Sequence, residues 1–353
     1  MDAIDAVLVD FATSPLSLIA ASATPFDRAL KARLAAAIES QDGVALDEIG
    51  QLDVAVAQAF AQCALALLRR TGLSPSAVSA IGSHGQTLRH RPDGAIPFTW
   101  QIGDPNTLAE MTGITVVGDF RRRDVAAGGQ GAPLLPLFHD RIFRSEREDR
   151  VILNLGGIAN ITILTAGSVV SGFDTGPANR LLDAWIARHL DRTYDDGGAW
   201  AGSGRCDAAL LDELLMEPYL ALPPPKSTGR ELFNLAWLER RLGSRILRPE
   251  DVQATLLEYS AATVANEVRR CAPAASVYAC GGGARNAALL GALARRLAPS
   301  RVATTQALGL DPDYVEAIAF AWFASRTLAG APSSAGSVTG ARGARVLGGI
   351  YKA

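Results

Sequence analysis

Two α/β domains, each opened by a β-hairpin, are what this sequence predicts. Three observations carry that reading. The chain has 353 residues, long for a single hydrophobic core. Hairpin patterns occur near residue 6 and near residue 151, each followed by alternating helical and strand patterns. Glycine-rich turns follow several short apolar runs, as at the strand ends of open α/β sheets, where ligands bind. The recurrence is one of architecture, not of sequence.

In chain order, 6–11 and 16–23 form a hairpin across Thr13-Ser14-Pro15. Residues 27–39 are helical, and 46–71 form one long alanine-rich helix or a pair, stopped by Gly72. A short strand at 78–82 delivers Ser83-His84-Gly85-Gln86-Thr87 at its C-terminal end. A strand is expected at 97–102, a short helix at 106–112, and a buried strand at 114–118 ending in Asp119-Phe120-Arg121-Arg122-Arg123-Asp124. Gly128, Gly129 and Gly131 mark a flexible link. The second half opens with strand, turn, strand over 151–164, broken by Gly156-Gly157. Val169-Val170 leads into a loop carrying Asp174, and Leu181 onward is apolar at helical spacing. Helices are expected at 206–216, 252–270, 286–297 and 314–328, a strand at 276–279, and an extended proline-rich loop at 223–230. The tail packs back on the first half through Val346-Leu347 and Ile350-Tyr351. The domains are therefore expected to be 1–127 with 335–353, and 128–334.

Hydrophobic residues make up 48% and charged residues 20%, the balance of a soluble globular protein. A net charge of -2 without long charged blocks gives no electrostatic support for a nucleic-acid or membrane partner. Cys63, Cys206, Cys271 and Cys280 are scattered without a CxxC, and His84, His90, His139 and His189 have no zinc-ligand spacing with them. The acidic start lacks a signal-peptide charge pattern, and no apolar run reads as long enough to cross a bilayer. A cytoplasmic protein is expected.

The sequence contains no GxxxxGK[ST], no GxGxxG after a first strand and no GxSxG. What remains is a set of glycine turns and a few placed charges. Asp174, flanked by Gly172 and Gly176, reads as a general base, a metal ligand or a helix cap. The turn around Gly156 and Gly157, with Asn160 beyond it, can offer backbone N–H groups to a phosphate. Gly281-Gly282-Gly283 leads through Asn286 into a helix whose N-terminus favours anions. His84 either hydrogen-bonds a substrate hydroxyl or bonds its own loop. Asp119 and Arg121 contact substrate or pair with each other. Glu316 sits near the start of an apolar helix, stabilised by the helix dipole or turned into a cleft. Arg122 and Arg123 read as solvated charges, and Lys226 as a surface lysine.

Taken in order, the stretches Gly82-Ser83-His84-Gly85-Gln86-Thr87, Gly118-Asp119-Phe120-Arg121, 129–133, 154–160, 174–179, 224–230, Asp251-Val252-Gln253-Ala254-Thr255, 281–286 and Tyr314-Val315-Glu316-Ala317 resemble the anhydro-N-acetylmuramic acid kinases. The match runs from Asp2 to the C-terminus. It implies the two-domain actin/hexokinase/Hsp70-like (ribonuclease H-like) α/β fold with a nucleotide cleft between the domains. It also implies ATP and Mg²⁺, a homodimer and a role in cell-wall recycling. The implied reaction is 1,6-anhydro-N-acetylmuramic acid plus ATP plus water, giving N-acetylmuramic acid 6-phosphate and ADP. In that scheme Asp174 is the catalytic base. His84, Asp119, Arg121 and Glu316 contact the sugar, and Asp2, Gly156, Gly157, Asn160, Gly281, Gly282, Gly283 and Asn286 contact ATP, with domain closure over the Gly128–Gly131 link. Members of the family begin with a strand and a phosphate loop, GxMSGTSxDG. Here Met1 falls on its variable position, Asp2 matches its aspartate and Ala3 replaces its glycine. The chain as written is therefore expected to lack a first strand beside 6–11 and half of a γ-phosphate clamp, and to transfer phosphate poorly or not at all; either its start is assigned too late, with Met1 an internal residue of that loop, or activity is lost. Two other functions remain open: a nucleotide-binding module of this fold without kinase activity, and a kinase for an ordinary sugar.

Overall fold

The computed structural model describes residues 3–13, 16–40 and 43–353. Asp2 and the Ser14-Pro15 part of the expected turn lie outside the described residues. The chain runs β1 (Ala3–Asp10), β2 (Ser17–Pro25), α1 (Arg28–Glu39), α2 (Leu46–Thr71), β3 (Ile81–Gly82), β4 (Gln86–Arg91), β5 (Phe98–Ile102), α3 (Pro105–Thr112), β6 (Val116–Gly118) and α4 (Arg122–Ala126). It continues α5 (Pro136–Phe143), β7 (Arg150–Leu155), β8 (Ile158–Leu164), β9 (Ser171–Pro177), α6 (Asn179–Leu190), α7 (Ala199–Ser203), α8 (Ala208–Leu215), α9 (Leu235–Leu242) and α10 (Pro249–Cys271). The last elements are β10 (Ser276–Cys280), α11 (Ala287–Leu297), β11 (Val302–Thr304), α12 (Val315–Leu328), α13 (Gly336–Thr339) and β12 (Gly349–Tyr351).

Two compact units form, one from the residues up to Leu134 with Glu316–Ala353, the other from Leu135–Val315. The sequence places these divisions at 127/128 and 334/335, and the difference has a physical reason. The glycine loop read as a flexible link is tied into the first unit. Buried Asp124 accepts the Gly131 N–H at 2.8 Å on one oxygen and the Thr339 hydroxyl at 2.8 Å on the other. The Gln130 N–H reaches the Thr339 carbonyl at 2.8 Å. Helix α12 also joins this unit, because a side chain at Gly82 would collide with the Phe320 carbonyl.

In the first unit β1 and β2 pair antiparallel, Ala3 opposite Pro25. A separate sheet has the order β12-β6-β3, with β3 parallel and β12 antiparallel to β6. The tail thus returns through Ile350 and Tyr351, as its pattern predicts. Among the described residues β1 pairs only with β2, and β3 only with β6. A recess of about 860 Å³ lies along both, lined by β1, residues 78–86, Phe60, Cys63 and Leu67 of α2, and Phe320 and Ala324 of α12. Hairpin β4–β5 was not expected over 86–91, where Arg89, His90 and Arg91 hide any apolar alternation. Arg89 explains it: the guanidinium donates to the carbonyls of Ala37, Ile38 and Ser40 at 2.9–3.2 Å, capping the end of α1.

Helix α2 is one helix, with Asp47 and Glu48 in its first turn, Arg69 and Arg70 in its last, and Gly72 at φ 69°. Contrary to the reading of the sequence, it is long and apolar enough by length and composition to cross a membrane. Its Leu52, Val56, Ala57, Ala61 and Leu67 are buried, and it packs on α1, α3 and β1.

The second unit has one sheet, ordered β11-β10-β7-β8-β9. Strands β7, β10 and β11 are parallel, and β8 is antiparallel to both β7 and β9. A three-stranded antiparallel start followed by parallel strands is the ribonuclease H-like order of actin/hexokinase/Hsp70-like proteins. Helix α10, with Pro249 in its first turn, is buried along most of its length and packs on β8, β9, α6, α7, α8 and α11.

Candidate active site

A row of polar side chains crosses the second unit's sheet. Asn154 on β7 opposes Asn160 on β8, and Asn160 opposes Asp174 on β9. Directly opposed residues share a face, so these three lie side by side across the sheet. A bulge between Ala159 and Asn160 sets the pairing. Asp174 was expected on a loop at a strand-to-helix junction. It lies instead inside β9, because Ser171–Pro177 pairs along β8.

Asp174 is held from several sides. Its N–H donates to the Lys226 carbonyl at 3.2 Å, and its carbonyl accepts the Tyr219 hydroxyl at 2.8 Å. Its carboxylate Oδ2 accepts the Thr228 N–H at 3.0 Å. Burial and the neighbouring Asp174 and Glu267 carboxylates push the Tyr219 hydroxyl upward, so it stays protonated as a donor. Helix α6 begins five residues after Asp174, at Asn179, so the carboxylate is not its cap. Asn179 instead ties the helix to β7, donating from Nδ2 to the carbonyls of Leu155 and Gly156 at 3.1 and 2.9 Å.

The glycines of the two turns divide by what surrounds them. Gly281 has φ 78° and lies against Asn154 and Leu155, and a Cβ at Gly283 would stand 2.6 Å from the Leu155 Cβ. Both are required by packing. A Cβ at Gly282 meets nothing within 4 Å, and one at Gly157 meets only the Arg180 Cβ at 3.8 Å. Gly156 is nearly as open, its nearest neighbour at 3.5 Å. No protein contact explains these three; an approaching ligand would. Asn286 caps α11, its Oδ1 accepting the Leu289 N–H at 3.0 Å.

In the first unit the Arg121 Nε donates to the His84 Nε2 at 2.9 Å, and another guanidinium nitrogen to the Gly131 carbonyl at 2.7 Å. The imidazole is thereby an acceptor at Nε2. Burial and the adjacent Arg121 charge hold its pKa down at about 3, so it is neutral at physiological pH. Asp119 faces Arg122 at 3.6 Å. Asp119 has φ 59°, in the left-handed region that aspartate enters more readily than most residues. Burial raises its carboxyl above the ordinary range, with Arg122 opposing. Glu316, in the first turn of α12, reaches solvent at its surface, yet the surrounding protein raises its carboxyl too, with Arg121 opposing.

The sequence profile of the anhydro-N-acetylmuramic acid kinases matches residues 1–353. The chain belongs to this family. The kinase of Xylella fastidiosa is 51% identical over 357 residues, covering 100% of this chain and 94% of that protein. That of Xanthomonas axonopodis pv. citri is 52% identical over 356 residues, covering 100% and 95%, and that of Coxiella burnetii 50% over 354, covering 99% and 94%. An ATP-using sugar kinase thus carries both clusters: Asp174 with Asn160 and the glycine turns in the second unit, His84 with Arg121, Asp119 and Glu316 in the first.

Four residues of the kinase's Asp174 surroundings escape sequence reasoning. Asn154 had a signal, being the lone polar residue in Val151-Ile152-Leu153-Asn154-Leu155. Tyr219 and Thr228 had none. Lys226, read as a surface lysine, is buried, its Nζ 2.8 Å from Glu267 and 3.1 Å from the Leu220 carbonyl. The partner that makes its burial tolerable lies 41 positions away.

Proposed function

We propose that this kinase opens the anhydro bridge of 1,6-anhydro-N-acetylmuramic acid with water while phosphorylating O6, and that Asp174 is the base. The observation behind this is the carboxylate in the polar row, held at one oxygen by the Thr228 N–H. Water attacks the anomeric carbon and gives a proton to Asp174. The bond from that carbon to O6 breaks, and O6 takes the γ-phosphoryl group of ATP. The attacking oxygen becomes the anomeric hydroxyl, and Asp174 later releases its proton to solvent. A glycosidase needs a second carboxylic acid to protonate its leaving oxygen; here phosphorus takes that role.

The open faces of Gly156, Gly157 and Gly282 suit the polyphosphate and adenosine of ATP. Mg²⁺ fits the same reading as a phosphate-borne ion, since it usually keeps several waters and takes one or two protein carboxylates. Among the described residues no group of three or more His, Cys, Asp or Glu side chains is arranged as a cage. When bound, the ion neutralises charge on the transferred phosphoryl group. His84, Asp119, Arg121 and Glu316 are proposed as sugar contacts, supported by the resemblance and by the Arg121–His84 hydrogen bond that fixes two of them together. The resemblance also supports a homodimer in the cytoplasm, and sedimentation equilibrium tests the oligomer.

Turnover in ¹⁸O-labelled water tests the reaction: one labelled oxygen is expected at C1 of the product. ADP release with ordinary sugars and no label at C1 would make the chain a simple sugar kinase and end this reading.

A further inference from the structure

Lys226 is an ammonium in an unusual place. Its side chain is 2% exposed and that of its partner Glu267 9%. The Nζ also lies 5.1 Å from the Tyr219 ring centre and 5.7 Å from that of Phe173, the residue before Asp174. Burying an ion pair is expensive, and the pair seldom stabilises more than well-packed apolar residues would. Such a pair is better explained by what it fixes in place than by stability alone. What it fixes is the loop across Asp174. The Lys226 carbonyl accepts the Asp174 N–H, and two residues on the Thr228 N–H grips the carboxylate. Glu267 stands on the long buried helix α10, where Arg270 holds its second oxygen at 2.6 Å.

We propose that the Lys226–Glu267 pair positions the base: anchored to α10, it seats residues 226–228 so that the Thr228 N–H holds Asp174 in one orientation and in its ionised form. This rests on Asp174 being the base. The Lys226 ammonium spends two of its three N–H donors on Glu267 and the Leu220 carbonyl, so its role is that of a positioning residue. Tyr219, which feels the Asp174 charge, comes from the 218–221 turn, Lys226 from the loop, and the Glu267 and Arg270 that flank Lys226 from α10.

Three variants test it. Lys226→Met keeps the length of the stem and removes the charge. Its kcat should fall about 10- to 100-fold, within the range of a misplaced general base, with the KM of both substrates within about threefold. The acid limb of its kcat/KM profile should move about half a pH unit or more upward, because an N–H bond to a carboxylate favours the charged form. Thr228→Pro deletes the donor itself and should move the limb the same way. Lys226→Met with Glu267→Met removes both charges; it should melt near the parent protein yet keep the slow kcat and the shifted limb. An unmoved acid limb in Lys226→Met and Thr228→Pro overturns the proposal, whether or not kcat falls. Asp174→Asn separates the two readings. If it stays active, the base assignment has failed. If it is inactive while the limb stays put in the other variants, only the positioning role has failed.

Discussion

The two units begin alike and finish their sheets differently. In the second, β7 lies between β8 and β10 and joins a hairpin to a parallel pair as one five-stranded sheet. In the first, hairpin β1–β2 and strand β3 occupy the comparable places, but among the described residues the strands divide into sheets of two, three and two, with the 860 Å³ recess along β1 and β3. A row of side chains in fixed register needs a continuous sheet beneath it, because a slip of one residue turns every side chain to the other face. The polar row Asn154, Asn160, Asp174 stands on one such sheet, its register set by the bulge between Ala159 and Asn160. The first unit's charged residues sit at strand ends and a helix start, where the fixing comes from Arg121 and Arg122 contacts instead.

The largest expected effect tests what the unbroken sheet carries. Asp174→Asn keeps the shape of the side chain and removes the proton acceptor. Turnover should fall about 10²- to 10⁴-fold with the melting temperature and ATP affinity nearly unchanged. Near-normal turnover would leave the row without its chemical meaning.

Hydrogen exchange compares the two sheets directly. Local stability follows pairing and burial, so amides of β1 and β3 should exchange about 100-fold faster than those of β7 and β10. Equal protection would show that the divided sheet is as firmly held as the continuous one.

Two glycine variants sharpen the contrast between packing and binding. Gly82→Ala forces a methyl group into the Phe320 carbonyl and should cost about 1–3 kcal/mol in a denaturant titration. Gly282→Ala meets no neighbour within 4 Å and should leave stability alone while weakening nucleotide binding in a titration calorimeter. A stability loss there, with unchanged binding, would return Gly282 to simple packing.

The pH dependence compares buried histidines of the two units. His139, wholly buried with Nδ1 2.8 Å from the Thr162 hydroxyl, has its pKa lowered by burial from 6.5 to about 3. Between those values the unfolded chain holds a proton that the folded chain does not. Stability should therefore fall as pH drops from 6.5 toward 3, by up to about 1.4 kcal/mol per pH unit. His84 acts in the same direction in the first unit. His139→Phe should flatten the acid side of the stability curve; an unchanged slope would mean that the histidine is not neutral in the fold.

The features legible in the chain are mostly those that local interactions decide. Helix α2 runs over 46–71 as read, because its charges and Gly72 write both ends into neighbouring residues. The turn at Gly156-Gly157 and the helix that starts at Asn286 are equally local, and so is the hairpin formed by β1 and β2. The family, too, was readable, since its motifs are short and ordered along the chain. The tertiary structure decided β4, the strand character of β9, the tethering of Gly128–Gly131 and the burial of Lys226. It also decided the alignment of Asn154 and Asn160 with Asp174. Each depends on a partner remote in sequence: Arg89 on the end of α1, β9 on β8, Gly131 on Asp124, Lys226 on Glu267. A helix closes its hydrogen bonds four residues away, whereas a strand or a buried charge is defined only when its distant partner arrives.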